Sequence, residues 1–423
     1  MSALQLVLGP LHLAAILGAV AAVVLLGRFA ARQARQPEVI GEITAGLLIG
    51  PAILGLLGAR GFHCVLPPQL LASLKTISQV GLVFFTVGLA HKLWRGSDRP
   101  VGRTTAWVAV GSFLPALTAG FLLASWVLHT SGQAVRGDAP TPAFMLLIAI
   151  CLAVTAVPVL ARILIDSQMV ETEPGRVSLS AAIALDAVSW LALAVAVGLR
   201  SGRFSQLLTS LGALAAGTLA AFAIRRLLSI PTVERLAHRT ALGAVTLIAT
   251  MAIGMAQAME HTHMTAILGA VLTGLAIPNG PSTPWDAAVA PVMCIGRALV
   301  PVFFVVSGIT VLTKAFETMP LMLILVTTLL GIASKACGGY LGARLGGQGH
   351  WNALRVGALM NCRGLTEMIV LQVGYNAGIL TTQLYLAFVV MALVTTVLTS
   401  PSLQMIDRAE MYRRPAPVPP PSP

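Results

Sequence analysis

Apolar residues in this chain fall in long, nearly unbroken runs, and most charged residues are confined to the short stretches between them. A helix needs about 20 mostly apolar residues to cross the hydrocarbon core of a bilayer. Runs of that kind lie near 11–30, 38–58, 70–94, 103–130, 141–166, 176–199, 205–226, 240–260, 262–278, 288–312, 318–343, 351–375 and 381–404. The pattern predicts an all-α polytopic membrane protein of about 13 transmembrane helices, with one membrane domain over 1–404. The stretch 405–423, ending in PAPVPPPSP, reads as a disordered Pro-rich tail.

Composition excludes the main alternatives. Of 423 residues, 57% are hydrophobic and 10% charged, against about 25% charged in soluble domains. Such hydrophobicity also excludes a disordered chain. The formal net charge of +12 is of the kind that attracts nucleic acid, but the basic residues sit in the short loops, which is the signature of membrane topology. With the N-terminus outside, one set of alternate loops holds 18 Lys and Arg and the other set 6. The positive-inside rule then puts the C-terminus in the cytoplasm, and the inner (plasma) membrane is the expected location. No basic n-region with a cleavage signal precedes the first run, which reads as a retained helix. The five cysteines show no CxxC spacing, and the four inside apolar runs read as small buried hydrophobes.

An odd number of helices permits an inverted repeat, about 11–199 and 240–404, joined by a connector helix near 205–226. Transporters built this way form their binding site from broken helices at equivalent places in the two halves. The fifth run contains VTAVPVLARIL (154–164) with Pro158 in its middle, and the twelfth contains MNCRGLTEMIVLQVG (360–374). These two runs are seven apart and correspond under the repeat. Proline removes a backbone donor, and a broken helix in a membrane is tolerated only against a cavity or packed protein.

Ionisable side chains in the hydrocarbon zone are costly and therefore functional candidates. Asp186 lies in the middle of SAAIALDAVSW (180–190), Lys335 in the middle of GIASKACGGYLG (331–342), and Arg363 and Glu367 at the break of the twelfth run. Arg363 and Glu367 are four apart and share a helical face, so a structural ion pair is an equal reading for them. Asp186 is the sharpest signal: a carboxylate at mid-membrane is neutralised by a proton or by a metal cation, not favourably by both at once. Its simpler role is a structural one, paired with a helix terminus or with Lys335. Glu42 and Arg297 fall nearer run ends, where an interfacial role suffices. His261 and His263, flanking Thr262, offer a weaker metal pair. No nucleotide motif and no hydrolase arrangement appears, so no enzyme activity and no cofactor is expected.

EVIGEITAGLLIGPAILG (38–55), FFTVGL (84–89), VTAVPVLARIL, the Asp186 run, VFFVVSGI (302–309), the Lys335 run, MNCRGLTEMIVLQVG and FVVMALVTTVLTSP (388–401) occur in one order. Together they resemble the monovalent cation:proton antiporters of the second cation/proton antiporter superfamily, especially the membrane domain of plant and bacterial cation/proton exchangers. The resemblance implies a dimerisation domain and a mobile core domain, two crossing discontinuous helices, alternating access by an elevator-like movement, and a homodimer. It also implies that Asp186 binds the proton and the monovalent cation, that Thr155 in the first unwound stretch supplies an oxygen ligand, and that Lys335, Arg363 and Glu367 form the supporting charged core. One departure stands out. Relatives carry Asp or Asn immediately before the essential aspartate, and this chain carries Leu185. Leu185 binds neither proton nor cation, so electroneutral exchange of Na+ or K+ is expected, with Lys335 paired to Asp186 in the empty site. Alternatives are a channel-like potassium efflux protein, which would show single-channel currents, and a non-transporting membrane sensor or scaffold that keeps the fold. No nucleic acid partner is expected.

Overall fold

The computed structural model describes residues 3–34, 67–95, 102–130, 133–201, 205–262, 264–279, 283–312 and 321–413, with some positions between 36 and 49. All regular structure among them is helical. The principal helices are α1 (Ala3–Gln33), α2 (Pro68–Arg95), α3 (Gly102–Thr130), α4 (Thr141–Ala153), α5 (Val157–Asp166), α6 (Glu173–Ser201), α7 (Ser205–Leu228), α8 (Ala241–His261), α9 (Ala266–Ala276), α10 (Trp285–Leu312), α11 (Leu321–Leu345), α12 (His350–Met360), α13 (Leu365–Asn376) and α14 (Thr382–Arg413). Short helices at Gln133–Arg136 and Pro231–Arg239 lie in connections.

Among the described residues nine helices have the length and hydropathy of a membrane span. The ninth apolar run yields only the 11-residue α9, the twelfth is cut into α12 and α13, and much of the second lies outside the described residues. The count of about 13 spans is therefore not reached there. The Pro-rich segment 414–423 also falls outside them.

Two groups of helices organise the packing. In one, α2 lies along α10, and α9 bridges α2 and α8. In the other, α3 packs on α11 and α4, α11 on α12 and α14, and α6 against α4, α3 and α12. The α3–α11 contact depends on small residues. A Cβ built on Gly111 would lie 2.6 Å from the Gly342 Cα and 2.8 Å from the Gly338 oxygen. Bare backbones thus touch across the pair, as small residues spaced by four allow in membrane helices. Helices from both groups contribute to one extended buried cluster, which includes Phe85, Phe144, Trp190, Leu371 and Phe388.

The cysteines divide. Cys151 and Cys362 are buried as expected, whereas Cys294 and Cys337 lie on exposed helix faces. Hydropathy alone does not separate a side chain facing protein from one on the outer surface of a bundle, because the bilayer is as apolar as the core.

Candidate functional site

The fifth and twelfth apolar runs are both broken. α4 ends at Ala153, and Val154 leaves the helix with φ −63° and ψ 145°. Thr155 has no regular structure and Ala156 is extended before α5 begins at Val157. Pro158 sits in the first turn of α5, where its missing N–H has no helical partner to lose and its fixed φ suits helix initiation. The proline therefore starts a second helix rather than kinking one. The second break spans Asn361–Gly364, between α12 and α13. Gly364 has φ +146°, in the region favouring glycine. A Cβ there would also lie 2.9 Å from Val159 Cγ2. The two unwound stretches meet: the Ala156 N–H donates to the Cys362 carbonyl at 3.4 Å.

Arg363 ties the breaks together. Its Nη1 donates to the Cys151 carbonyl at 2.8 Å and its Nη2 to the Leu152 carbonyl at 2.5 Å. Those carbonyls belong to the last turn of α4 and lack helical partners. A guanidinium there satisfies them and complements the negative end of the helix dipole. Glu367 stands in the first turn of α13, where the dipole favours a carboxylate, and its Oε1 is 3.4 Å from Arg363 Nη1. Both side chains are fully buried. Thr396 of α14 accepts from the Arg363 N–H at 3.3 Å and donates to the Arg363 carbonyl at 2.7 Å, fixing the second break from behind.

Lys335 is fully buried on α11 and donates from Nζ to Thr155 Oγ1 at 2.7 Å. Unwinding of 154–156 is what offers that hydroxyl. The charges acting on Lys335 are Arg363 and Glu367. The expected pairing of Lys335 with Asp186 is absent. Asp186, on α6, is only 4% exposed, forms no ion pair with a described residue, and its Oδ1 has no hydrogen-bond partner. Leu185 points into an apolar cluster with Val108, Val356 and Met360, next to the second break. The structure thus gathers Thr155, Lys335, Arg363 and Glu367 into one hydrogen-bonded and electrostatic unit, and leaves Asp186 outside it with an unsatisfied oxygen.

Glu42, expected from the sequence to be interfacial, is one of several buried or part-buried charges, and the others were not singled out by sequence. Glu42 is fully buried, accepting from Arg28 Nε at 2.6 Å and from Arg162 Nη2 at 3.4 Å; Arg162 also lies 3.4 Å from Asp166. His91 of α2, only 3% exposed, lies 2.7 Å from Asp286 of α10. Arg355 of α12 grips Asp407 at 2.7 Å and Glu410 at 2.5 Å on α14. Apart from Arg162–Asp166, four residues apart, these pairs join distant positions, so no pattern along the sequence links them. Arg297 lies exposed on α10. Of the suggested histidine metal pair, His263 is outside the described residues, and no group of three or more His, Cys, Asp or Glu suited to a metal occurs among them.

Comparisons with known proteins agree in kind. The transmembrane sodium/hydrogen exchanger family matches residues 18–407. A Na+/H+ antiporter of Synechocystis is 32% identical over 389 residues, covering 89% of this chain and 93% of that protein. Cation/H+ antiporter 15 of Arabidopsis thaliana is 28% identical over 90% of this chain, and K+/H+ antiporter 1 of Saccharomyces cerevisiae 28% over 88%. The chain spans 46% and 44% of those two longer proteins. The solved structure of a sodium/proton antiporter from Methanocaldococcus jannaschii at pH 8 shares the fold, with TM-score 0.58, 16% identity and coverage of 95% of this chain and 98% of that one.

Proposed function

Because the chain belongs to the family of transmembrane sodium/hydrogen exchangers, we propose that it is a secondary antiporter exchanging a monovalent cation, Na+ or K+, for protons by alternating access. The observation that carries this reading is Asp186: a buried carboxylate on α6 with no cationic partner and an unsatisfied oxygen. An uncompensated buried charge is strongly unfavourable. The group is therefore occupied in turn by a proton or by a cation. Each occupant neutralises it, and each excludes the other. That exclusion couples the two fluxes.

The remaining core charges are scaffold in this reading. Arg363 and Glu367 hold the crossing of the two breaks, and Lys335 closes it through Thr155. Since Lys335 is held by Thr155 rather than by Asp186, one carboxylate trades one proton for one monovalent cation, and the exchange is electroneutral. Alternating access would move the group of α3, α4, α6 and α11–α14 against the group of α2 and α8–α10. The protein would work as a homodimer in the inner (plasma) membrane, with its N-terminus outside and its C-terminus in the cytoplasm. The similarity of relatives named Na+/H+ and K+/H+ antiporters supports both candidate cations.

The test uses purified full-length protein in liposomes loaded with a pH-sensitive dye. A proton gradient is imposed, and Na+, K+, Li+ or Rb+ is then added. Cation-dependent dissipation that disappears in Asp186→Asn is the expected result. A folded wild type that responds to no cation overturns the reading.

A further inference from the structure

Many buried hydroxyls in the described helices turn back on their own backbone. Thr86 donates to the Leu82 carbonyl at 2.8 Å, Thr273 to that of Gly269 at 2.9 Å, and Thr399 to that of Thr395 at 3.0 Å. This is the ordinary way to satisfy such a group in a helix. Ser189 does not do so, and neither do Ser178, Thr327, Thr328 and Thr366; what sets Ser189 apart is its place beside Asp186. Ser189 is 0% exposed, and its Oγ has no hydrogen-bond partner. It lies on α6 three residues after Asp186, so the two side chains are surface neighbours on one helical side. At about 100° per residue, Ser189 projects between Leu185 and Asp186. Leu185 shares an apolar cluster with Met360, the last residue of α12. Asn361, the next residue, is 5% exposed and its Oδ1 is also without a partner.

A small monovalent cation is a hard ion that takes oxygen ligands, and one carboxylate does not replace its hydration shell. Thr155 Oγ1 is engaged in accepting from Lys335. Leu185 offers nothing. We propose that Ser189 Oγ is a second protein ligand of the transported cation, beside Asp186, and that it sets the preference between Na+ and K+. This rests on the antiport reading above. Without the cation, the buried hydroxyl oxygen and the Asp186 Oδ1 are both unsatisfied; a cation between them satisfies both.

Cation-dependent proton movement is measured in the same liposomes for wild type, Ser189→Ala, Ser189→Thr and Ser189→Cys. Loss of one ligand that binds equally throughout the step raises KM and leaves kcat. Ser189→Ala is expected to raise the half-saturating Na+ or K+ concentration about tenfold, with the maximal rate within about twofold, and to change the Na+/K+ ratio. Ser189→Thr keeps the oxygen and stays near wild type. Ser189→Cys exchanges a hard ligand for a soft one; it should weaken Na+ and K+ while keeping Tl+, which separates ligation from a packing defect. Unchanged half-saturation in Ser189→Ala for every cation, with wild type active, overturns the ligand assignment alone. So does equal weakening of Na+, K+ and Tl+ in Ser189→Cys. A wild type that exchanges no cation overturns the antiport reading and this inference together.

Discussion

Arg363 is the side chain on which the crossing depends. It reaches two carbonyls at the end of α4 and one carboxylate in α13, all in a fully buried setting. Removing one partner of a buried ion pair costs about 3–5 kcal/mol, and here two carbonyls lose their donor as well. Arg363→Ala is therefore expected to lower the thermal unfolding midpoint sharply in detergent. Arg363→Lys should recover only part of it, since an ammonium lacks the planar fork that holds two acceptors at once. Gly364 is a second test at this scale. With φ +146° and Val159 in the path of a Cβ, Gly364→Ala should destabilise by about 1–3 kcal/mol, read as a fall in the same midpoint. Midpoints equal to wild type in either case would contradict this account of the crossing.

Helices α4 and α5 are held as separate pieces by what crosses the gap between them. Lys335 brings α11 to the unwound stretch through Thr155. Thr155→Val removes the acceptor without changing side-chain shape much, and leaves a buried ammonium without its oxygen. The expected outcome is a lower unfolding midpoint and a slower maximal exchange rate, both restored by Thr155→Ser. A variant that keeps full rate would show that the tie is dispensable. At the far end of the same group, Arg355 links α12 to α14 through Asp407 and Glu410. This pair of contacts is partly exposed, so Arg355→Ala should cost less than Arg363→Ala, and its effect should shrink in high salt because screening already weakens such pairs.

The whole molecule decides how ion and proton are coupled. If both compete for Asp186, lowering the pH fills the carboxylate with protons and the apparent cation affinity falls. Half-saturating cation concentration should rise with proton concentration at the acidic end, while the rate at saturating cation is recovered. Half-saturation that does not change with pH would contradict competition at a single site. Electroneutral exchange is a separate expectation. Setting the membrane potential with a gradient of a permeant anion such as thiocyanate, with no K+ present, should leave the Na+-driven rate unchanged, and a strong dependence on potential would require a second charge to move with each cycle.

The order of apolar runs in the sequence already determined the all-helical membrane class and the two segments that would be broken, because a bilayer demands long apolar stretches and tolerates Pro158 and the polar Asn361–Glu367 segment only at special places. It also singled out Asp186, Lys335, Arg363 and Glu367, since a charge in an apolar run is too costly to be incidental. What the sequence did not determine is who meets whom. Lys335 pairs with Thr155, 180 residues away, and not with Asp186. Arg363 caps a helix 211 residues upstream. His91 meets Asp286 across two helices. Such partners carry no periodicity that links them along the chain. They are chosen when helices pack and each buried polar group must find an acceptor or donor nearby, which is also why only the folded chain reveals that one Asp186 carboxylate oxygen and the Ser189 hydroxyl were left without one.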